Sequence, residues 1–182
     1  MRTTILAFLF SWLAATQTFA KVAAISLDEL VQGSDVIAVA KVESVSKPLV
    51  GKHYAKARVM EVWKGSETNK VEFLASPTWT CDISEAKTGE TVLLFLAKSG
   101  KARSYIIAHS GRGRMPLRIV ANKSYATLWQ DVRLPKDTPT IDGPEPKWDF
   151  IRSVEVTILR DLVKKTRQKS EDRAMNRWST TR

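Results

Sequence analysis

The sequence is poor in the residues that build disulfide frameworks and metal centres. Its 182 residues include one cysteine, Cys81, and two histidines. A single cysteine excludes an intrachain disulfide, and neither a zinc-ligand spacing nor a CxxC pair occurs. Acidic residues are also scarce, since 19 Asp and Glu stand against 29 Lys and Arg, for a formal net charge of +10. This excess predicts an acidic partner without choosing among nucleic acid, anionic polysaccharide and lipid headgroups.

Motifs typical of enzymes are missing as well. No GxxxxGK[ST], HExxH, paired-carboxylate motif or Ser-His-Asp order occurs, so we expect no catalytic residue, no cofactor and no metal. Cys81 with His53 or His109 is a conceivable pair for nucleophilic catalysis. Asp82 directly follows Cys81, however, and a neighbouring carboxylate disfavours the thiolate that catalysis needs. The alternatives for Cys81 are a buried or loop thiol and an intermolecular disulfide.

The chain also lacks an apolar run long enough to span a membrane as a helix. Its main apolar run, Ile5–Ala15, has eleven residues, too few to cross about 30 Å of hydrocarbon. Arg2 precedes this run, and Thr18-Phe19-Ala20 places small residues at −3 and −1 of a cleavage site. We therefore predict a signal peptide over residues 1–20 and a secreted or periplasmic chain that begins at Lys21. The alternative is a buried N-terminal helix.

Residues 21–134 are predicted to form one mainly β domain. Ser26 and Glu29 have the spacing of a capping box, which predicts a short helix that ends at Gly33. The first half of the strand that begins at Val36 is apolar on both faces, so we expect another layer to cover it. Farther on, the apolar alternation changes phase at Met60, which indicates a β-bulge. Strands are predicted at 36–45, 54–63, 70–75, 92–97 and 104–110, with weaker candidates at 117–120 and 125–129.

The remaining segments are predicted to be a loop, a linker, a helix and a tail. Residues 76–90 show no periodicity, so we expect a loop over the mouth of a barrel. Four of the seven prolines lie between Leu134 and Lys147, which predicts a stiff linker over 135–147. Apolar residues at helical spacing then predict a C-terminal helix within 148–169, from about Ser153 to Gln168. We expect 170–182 to be a frayed basic tail.

This order of elements resembles the netrin-like modules and, within them, the tissue inhibitors of metalloproteinases. The similarity lies in Ser34–Val42, in Tyr54–Gly65 with its Trp-Lys-Gly turn, in Val71-Glu72-Phe73 followed by Cys81, and in Gly89–Phe95. It covers about residues 26–116. The resemblance implies a five-stranded OB-like closed barrel, here with a short N-terminal helix and a C-terminal helix.

The sequence departs from these inhibitors at its N-terminus. The resemblance implies a Cys-x-Cys that chelates the zinc of a protease and a disulfide from one of these cysteines to the position of Cys81. The predicted mature chain begins Lys21-Val22-Ala23 and has neither cysteine, so the segment lacks the preorganisation that binding needs. We therefore carry over the fold and not the zinc-chelating mechanism.

The expected function is that of a monomeric binding module with no enzymatic activity. We expect it to contact a protein or an anionic envelope or polysaccharide partner, and export argues against nucleic acid. One alternative is a protease inhibitor that acts without N-terminal zinc chelation and uses a different edge. The other is a polyanion-binding protein of the cell envelope.

Two stretches predict anion binding. In the first, glycines at 111 and 113 allow N–H groups to converge on an anion, while nearby side chains supply donors. Its candidate residues are His109, Arg112 and Arg114, and the alternative is a glycine turn with solvated arginines. The second stretch, 160–182, holds eight basic and three acidic residues, which predicts polyanion binding or a solvated helix end. Its candidate residues are Lys164, Lys165, Arg167, Lys169 and Arg173.

Three tryptophans are predicted to lie near loops: Trp79, Trp129 and Trp148. They would form a stacking platform for a carbohydrate or base, or else cover the ends of the barrel. The aromatic residues Trp63, Phe73, Phe95 and Tyr105 fall within predicted strands, and we expect them in the core.

Overall fold

The secondary structure comes from a computed structural model, which describes residues 23–46, 48–66, 69–100, 104–144 and 150–179. The predicted signal peptide and Trp148 lie outside these residues. The strands are β1 (Ile25–Ser26), β2 (Val36–Val45), β3 (Tyr54–Lys64), β4 (Lys70–Leu74), β5 (Thr91–Lys98), β6 (Tyr105–Ile107), β7 (Arg114–Val120), β8 (Lys123–Leu128), β9 (Val132–Arg133), β10 (Ile141–Asp142) and β11 (Arg152–Glu155). The helices are α1 (Leu27–Gln32) and α2 (Val156–Ser179).

Five strands close into a barrel in the order β2-β3-β4-β6-β5, and β5 pairs back onto β2. The pair β4–β6 is parallel, and the other four pairs are antiparallel. A closed ring leaves none of these five strands with a free edge along its paired residues. The predicted OB-like barrel with its two helices is therefore confirmed.

The barrel interior is built from one face of each strand. On β2 the inward residues are Val36, Ala38, Ala40 and Val42, all of them buried. Side chains alternate between the two faces of a strand, so every second residue of β2 points into the barrel. The same cluster takes Ala55, Ala57, Val71, Phe73, Val92, Leu94, Leu96 and Ile107 from the other strands.

A second core lies outside the barrel. Ile37 on the outward face of β2, and Leu93 and Phe95 on the outward face of β5, are fully buried and belong to this outer core. Leu30 of α1 and Leu159 of α2 pack into the same cluster. The prediction that another layer covers the first half of β2 is thus confirmed, and the two helices belong to that layer.

The sheet continues from β5 through β7, β8 and β11 to β10. The strands β7 and β8, weak candidates from the sequence, form a hairpin across Ala121 and Asn122. Both turn residues have positive φ, 46° and 65°, as a two-residue hairpin with the right twist requires. Strand β10 lies inside the stretch predicted to be a linker, 135–147, where it pairs with β11.

Two local predictions are confirmed at the start of the barrel. The hydroxyl of Ser26 accepts a hydrogen bond from the Glu29 backbone at 3.2 Å, and the Glu29 carboxylate accepts one from the Ser26 backbone at 2.8 Å. This capping box begins α1, which ends at Gly33. In β3 the register against β2 shifts between Val59 and Glu61, so Met60 is the extra residue of a bulge. Met60 itself is 58% exposed.

Other boundaries differ from the predictions. The segment predicted as a strand over 104–110 is a strand only to Ile107, and the chain then turns through 108–113. The C-terminal helix begins at Val156 because Arg152–Glu155 pairs with β8 as a strand. The helix also continues through Ser179, beyond its predicted end near Gln168 and into the stretch predicted to be a frayed tail. No helix among the described residues is long and apolar enough to cross a membrane.

Candidate functional site

One concave surface of the described residues is an open groove of about 1130 Å³, which we call the arginine groove. Three guanidinium side chains line it, those of Arg112, Arg133 and Arg152. Among the described residues of its lining, Asp131 is the one carboxylate, and Trp129 and Ile83 form an apolar wall. The described lining therefore carries two more positive than negative charges. The volume of the groove is close to that of pockets that bind small molecules.

Arg112 reaches the groove because of an unusual turn at 108–113. His109, Ser110 and Gly111 have consecutive positive φ angles of 51°, 54° and 90°. A Cβ at Gly111 would lie 2.5 Å from the Ile83 carbonyl carbon and from the Ser84 nitrogen, so only glycine permits this contact with the 76–90 loop. The turn therefore packs against that loop, and the Arg112 side chain contacts the loop.

The 76–90 loop is held by a buried carboxylate. Asp82 accepts hydrogen bonds from the Thr78 backbone, the Thr78 hydroxyl and the Ser84 backbone, at 2.7 to 2.8 Å. Burial acts to raise the pKa of Asp82, but the hydrogen bonds from Ser84 and Thr78 together outweigh it and lower that pKa. Farther along, Ala86 packs on the barrel core, as expected for a loop over the barrel mouth.

The two glycine-turn arginines are buried and form internal ion pairs. Arg112 donates from Nε to Asp131 at 2.8 Å and from Nη1 to the Cys81 carbonyl at 3.2 Å. Arg114 donates to both Glu90 oxygens, at 3.0 and 2.5 Å, and lies 3.4 Å from Glu85. Their side chains are 7% and 5% exposed. The sequence predicts either an anion site or solvated arginines at this turn. The structure instead shows both arginines paired with carboxylates of the protein.

The third residue predicted for this anion site, His109, contacts helix α1. Its Nε2 lies 3.3 Å from the carbonyl oxygen of Glu29. The three predicted ligands thus contact Glu29, Asp131 and Glu90, and they do not converge on one point. Only Arg112 also lines the arginine groove.

Sequence reasoning missed Arg133 and Arg152 as site residues. Arg133 lies in β9, which pairs with β1, and Arg152 begins β11, which pairs with β8 and β10. Arg152 donates from Nη2 to the Val132 carbonyl at 2.7 Å, whereas Arg133 is exposed. Neither arginine forms a salt bridge within the described part of the chain. Strand pairing places them in the same groove as Arg112, so no local sequence motif identifies them as site residues.

Cys81 is a free, half-buried thiol that lines the arginine groove. Its carbonyl accepts from Arg112, and no hydrogen bond joins its thiol to His53 or His109 where the chain is described. Groups of three or more His, Cys, Asp and Glu that could hold a metal do not occur among the described residues.

The basic residues of α2 divide into two groups. Arg160 lies 2.6 Å from Glu61 and 5.7 Å from the centroid of the Trp63 ring. Arg167 donates to the Trp63 carbonyl and lies 3.7 Å from Glu171, so this predicted polyanion residue is engaged within the protein. Four predicted residues are exposed: Lys164, Lys165, Lys169 and Arg173. The spacing of 165, 169 and 173 places the last three in one row, which we call the basic stripe.

The two described loop tryptophans differ in exposure and in their contacts. Trp79 is 52% exposed and donates from Nε1 to the Ser110 hydroxyl at 3.2 Å. Trp129 packs on the outer core and contacts Phe150 edge to face, at 4.8 Å between ring centroids. Trp129 and Ile83 also line a neighbouring hollow of about 430 Å³. Trp129 is thus a fixed wall between two concave surfaces.

The fold and the groove define a closed β-barrel module with an outer layer of helices and strands and a basic concave surface that the 76–90 loop helps to line. A scan against models of known protein families finds no match, and a search of curated proteins finds none either.

Proposed function

We propose that this chain is an exported, netrin-like binding module that contacts a protein or envelope partner through the arginine groove. The carrying observation is the contrast between two surfaces of the same barrel. Buried side chains occupy the barrel interior, whereas the groove outside it is open and measures about 1130 Å³. Because binding sites are concave and largely preformed, the groove is the better candidate.

Export is part of the proposal and is supported by the sequence pattern of residues 1–20. Ala23 and Ala24 line the groove, so cleavage after Ala20 would leave the new N-terminus two residues in sequence from its edge. N-terminal sequencing of the exported protein should give Lys21. A folded, exported product that retains Met1 would contradict this proposal.

Site-specific photo-crosslinking in the native envelope tests the use of the groove. A photoreactive residue at Gln130, which is exposed and lines the groove, should give a defined adduct that excess unlabelled protein suppresses. Ser44, exposed on β2 of the barrel, is the matched control and should give none. Equal adducts from both positions, or none from Gln130, would refute the proposal.

A second candidate function is protease inhibition without zinc chelation. The supporting observation is the β2–β3 loop, where Leu49 and Val50 are 106% and 90% exposed. An apolar loop tip of this kind suits insertion into the cleft of another protein. A panel of serine, cysteine and metalloproteases tests it, with Leu49→Ser/Val50→Ser as the variant that should lose inhibition. Inhibition that depends on an unmodified Lys21 amine would instead favour zinc chelation.

A third candidate function, polyanion binding, is supported by the basic stripe. The triple variant Lys165→Gln/Lys169→Gln/Arg173→Gln should elute from heparin at lower salt than the wild type, because fewer counterions are released on binding. The matched control is Lys41→Gln/Lys52→Gln/Lys87→Gln, which removes the same charge from exposed positions outside α2. Identical elution of the two variants would exclude a specific role for the stripe.

A further inference from the structure

We infer that the arginine groove binds an oxyanion, a carboxylate or a phosphate, attached to an apolar body. This inference names the ligand chemistry of the groove and so rests on the proposed function. The oxyanion would lie between Arg133 and Arg152, and the apolar body would lie against Trp129 and Ile83.

Charge balance is the first reason. Among the described residues, three guanidinium groups line the groove against one carboxylate, and that carboxylate, Asp131, already pairs with Arg112 at 2.8 Å. Arg133 and Arg152 therefore bring two positive charges that no acidic side chain of the described chain offsets by a salt bridge. Guanidinium groups bind carboxylates and phosphates through paired N–H donors, which makes an oxyanion the matching ligand.

The fixed position of Arg112 and Arg152 is the second reason. Arg152 is held by its bond from Nη2 to the Val132 carbonyl at 2.7 Å, and its buried Nε has no hydrogen-bond partner among the described residues. Arg112 is held by Asp131 and by the carbonyls of Cys81 and Ser110. Side chains that are already ordered lose little conformational entropy when a ligand binds, so Arg152 and Arg112 are preorganised, whereas the exposed Arg133 must be ordered on binding.

The shape of the groove sets the apolar part of the ligand. Trp129 is fixed by its edge-to-face contact with Phe150, and Ile83 is fixed by the close approach of Gly111. An aromatic or aliphatic body against this wall would be removed from water while its oxyanion faces the arginines. An inorganic anion would contact the arginines alone and would leave the apolar wall exposed to water.

Calorimetric titration with three small probes tests the inference at fixed ionic strength. Phenyl phosphate and benzoate should bind saturably at millimolar concentration, whereas benzyl alcohol, which lacks the anion, should not. The ratio of the two affinities distinguishes a phosphate ligand from a carboxylate ligand. Inorganic phosphate should bind more weakly than phenyl phosphate, because it lacks the apolar body.

Matched variants decide whether binding occurs in the groove. Arg133→Gln, at an exposed position, should weaken phenyl phosphate or benzoate about tenfold, the effect of a lost charged hydrogen bond. Arg173→Gln removes the same charge from exposed α2 and should leave affinity unchanged. Equal weakening in both variants, or no binding by the wild type, overturns the inference. If these probes fail while Gln130 still crosslinks a partner, the inference falls and the proposed function stands.

Discussion

The arginines of the glycine turn and those exposed on α2 are the same residue type in opposite settings. Arg114 is 5% exposed and bonded to both oxygens of Glu90, whereas Arg173 lies exposed near the end of α2. In the turn, each positive charge is matched by a carboxylate inside the protein. On α2, the charge faces solvent and is available to a partner. Net charge alone therefore overstates how many cations a partner meets.

This difference also separates stability from binding. Removing one partner of a buried ion pair leaves an uncompensated charge away from water, which is strongly destabilising. Removing an exposed charge changes stability little, because water solvates the remaining groups. Variants of the buried pairs should therefore lower the free energy of unfolding, whereas variants of the exposed charges should change binding to a partner and not stability.

The largest loss of stability is expected from Arg114→Met. This change leaves the Glu90 carboxylate, which is 13% exposed, without its bidentate partner, and should cost about 3–5 kcal/mol of unfolding free energy. Chemical denaturation measures the loss. The double variant Arg114→Met/Glu90→Gln should recover part of it, since no uncompensated charge remains. A loss below 1 kcal/mol for the single variant would contradict the structural role of this pair.

A smaller loss is expected from Gly111→Ala. The added Cβ would lie 2.5 Å from two backbone atoms of Ile83 and Ser84, in a residue with φ of 90°. We expect about 1–3 kcal/mol of destabilisation, from left-handed strain and the displacement of the loop. Gly89→Ala is an informative control, because its φ is 87° but no atom lies within 4 Å of its Cβ. If both variants lose the same stability, the close contact has no separate effect.

A pH-dependent effect is expected from Asp82. Its folded-state pKa is lowered from an ordinary value of 3.8, so the carboxylate stabilises the fold above that pH and this contribution is lost as pH falls below it. Asp82→Asn should cost about 1–2 kcal/mol at neutral pH. The difference between wild type and variant should shrink as denaturation is repeated below pH 3.8. A constant difference at all pH values would exclude linkage through Asp82.

The smallest effect on stability is expected from Arg173→Gln. An exposed substitution away from caps and ion pairs falls within about 0.5 kcal/mol of zero. Thermal unfolding should therefore match the wild type. A clear decrease in the midpoint would show that this end of α2 packs against the rest of the protein.

Much of the fold is predictable because it depends on local patterns. The strand β2 was predicted with its observed bounds, since alternation begins at Val36 after the turn and ends at Val45. The junction of β11 and α2 was misplaced because Val154 and Ile158 have helical spacing although Val154 lies in a strand. Pairing of β11 with β8 decides this boundary, and that pairing is not visible in local spacing.

The arginine groove was less predictable than the fold. Arg112 was selected for its neighbouring glycines, but Arg133 and Arg152 have no local motif. The three arginines come from a turn, β9 and the start of β11, so only strand pairing and the outer core bring them together. Local sequence also did not distinguish solvated arginines from those bonded to Asp131 and Glu90.

The parallel pair β4–β6 has a consequence for how the chain folds. The ring closes only when Phe73 pairs with Tyr105 and Val36 pairs with Leu96, contacts between segments far apart in sequence. Barrels dominated by such distant contacts fold on the order of milliseconds to seconds, more slowly than helical bundles. Until residues 105–107 arrive, β4 and β5 each have an open edge that can pair with another chain. A nascent chain or a proteolytic fragment that ends before β6 should therefore aggregate, whereas in the complete barrel β6 pairs with Phe73 and Leu74 of β4 and with Leu96–Lys98 of β5.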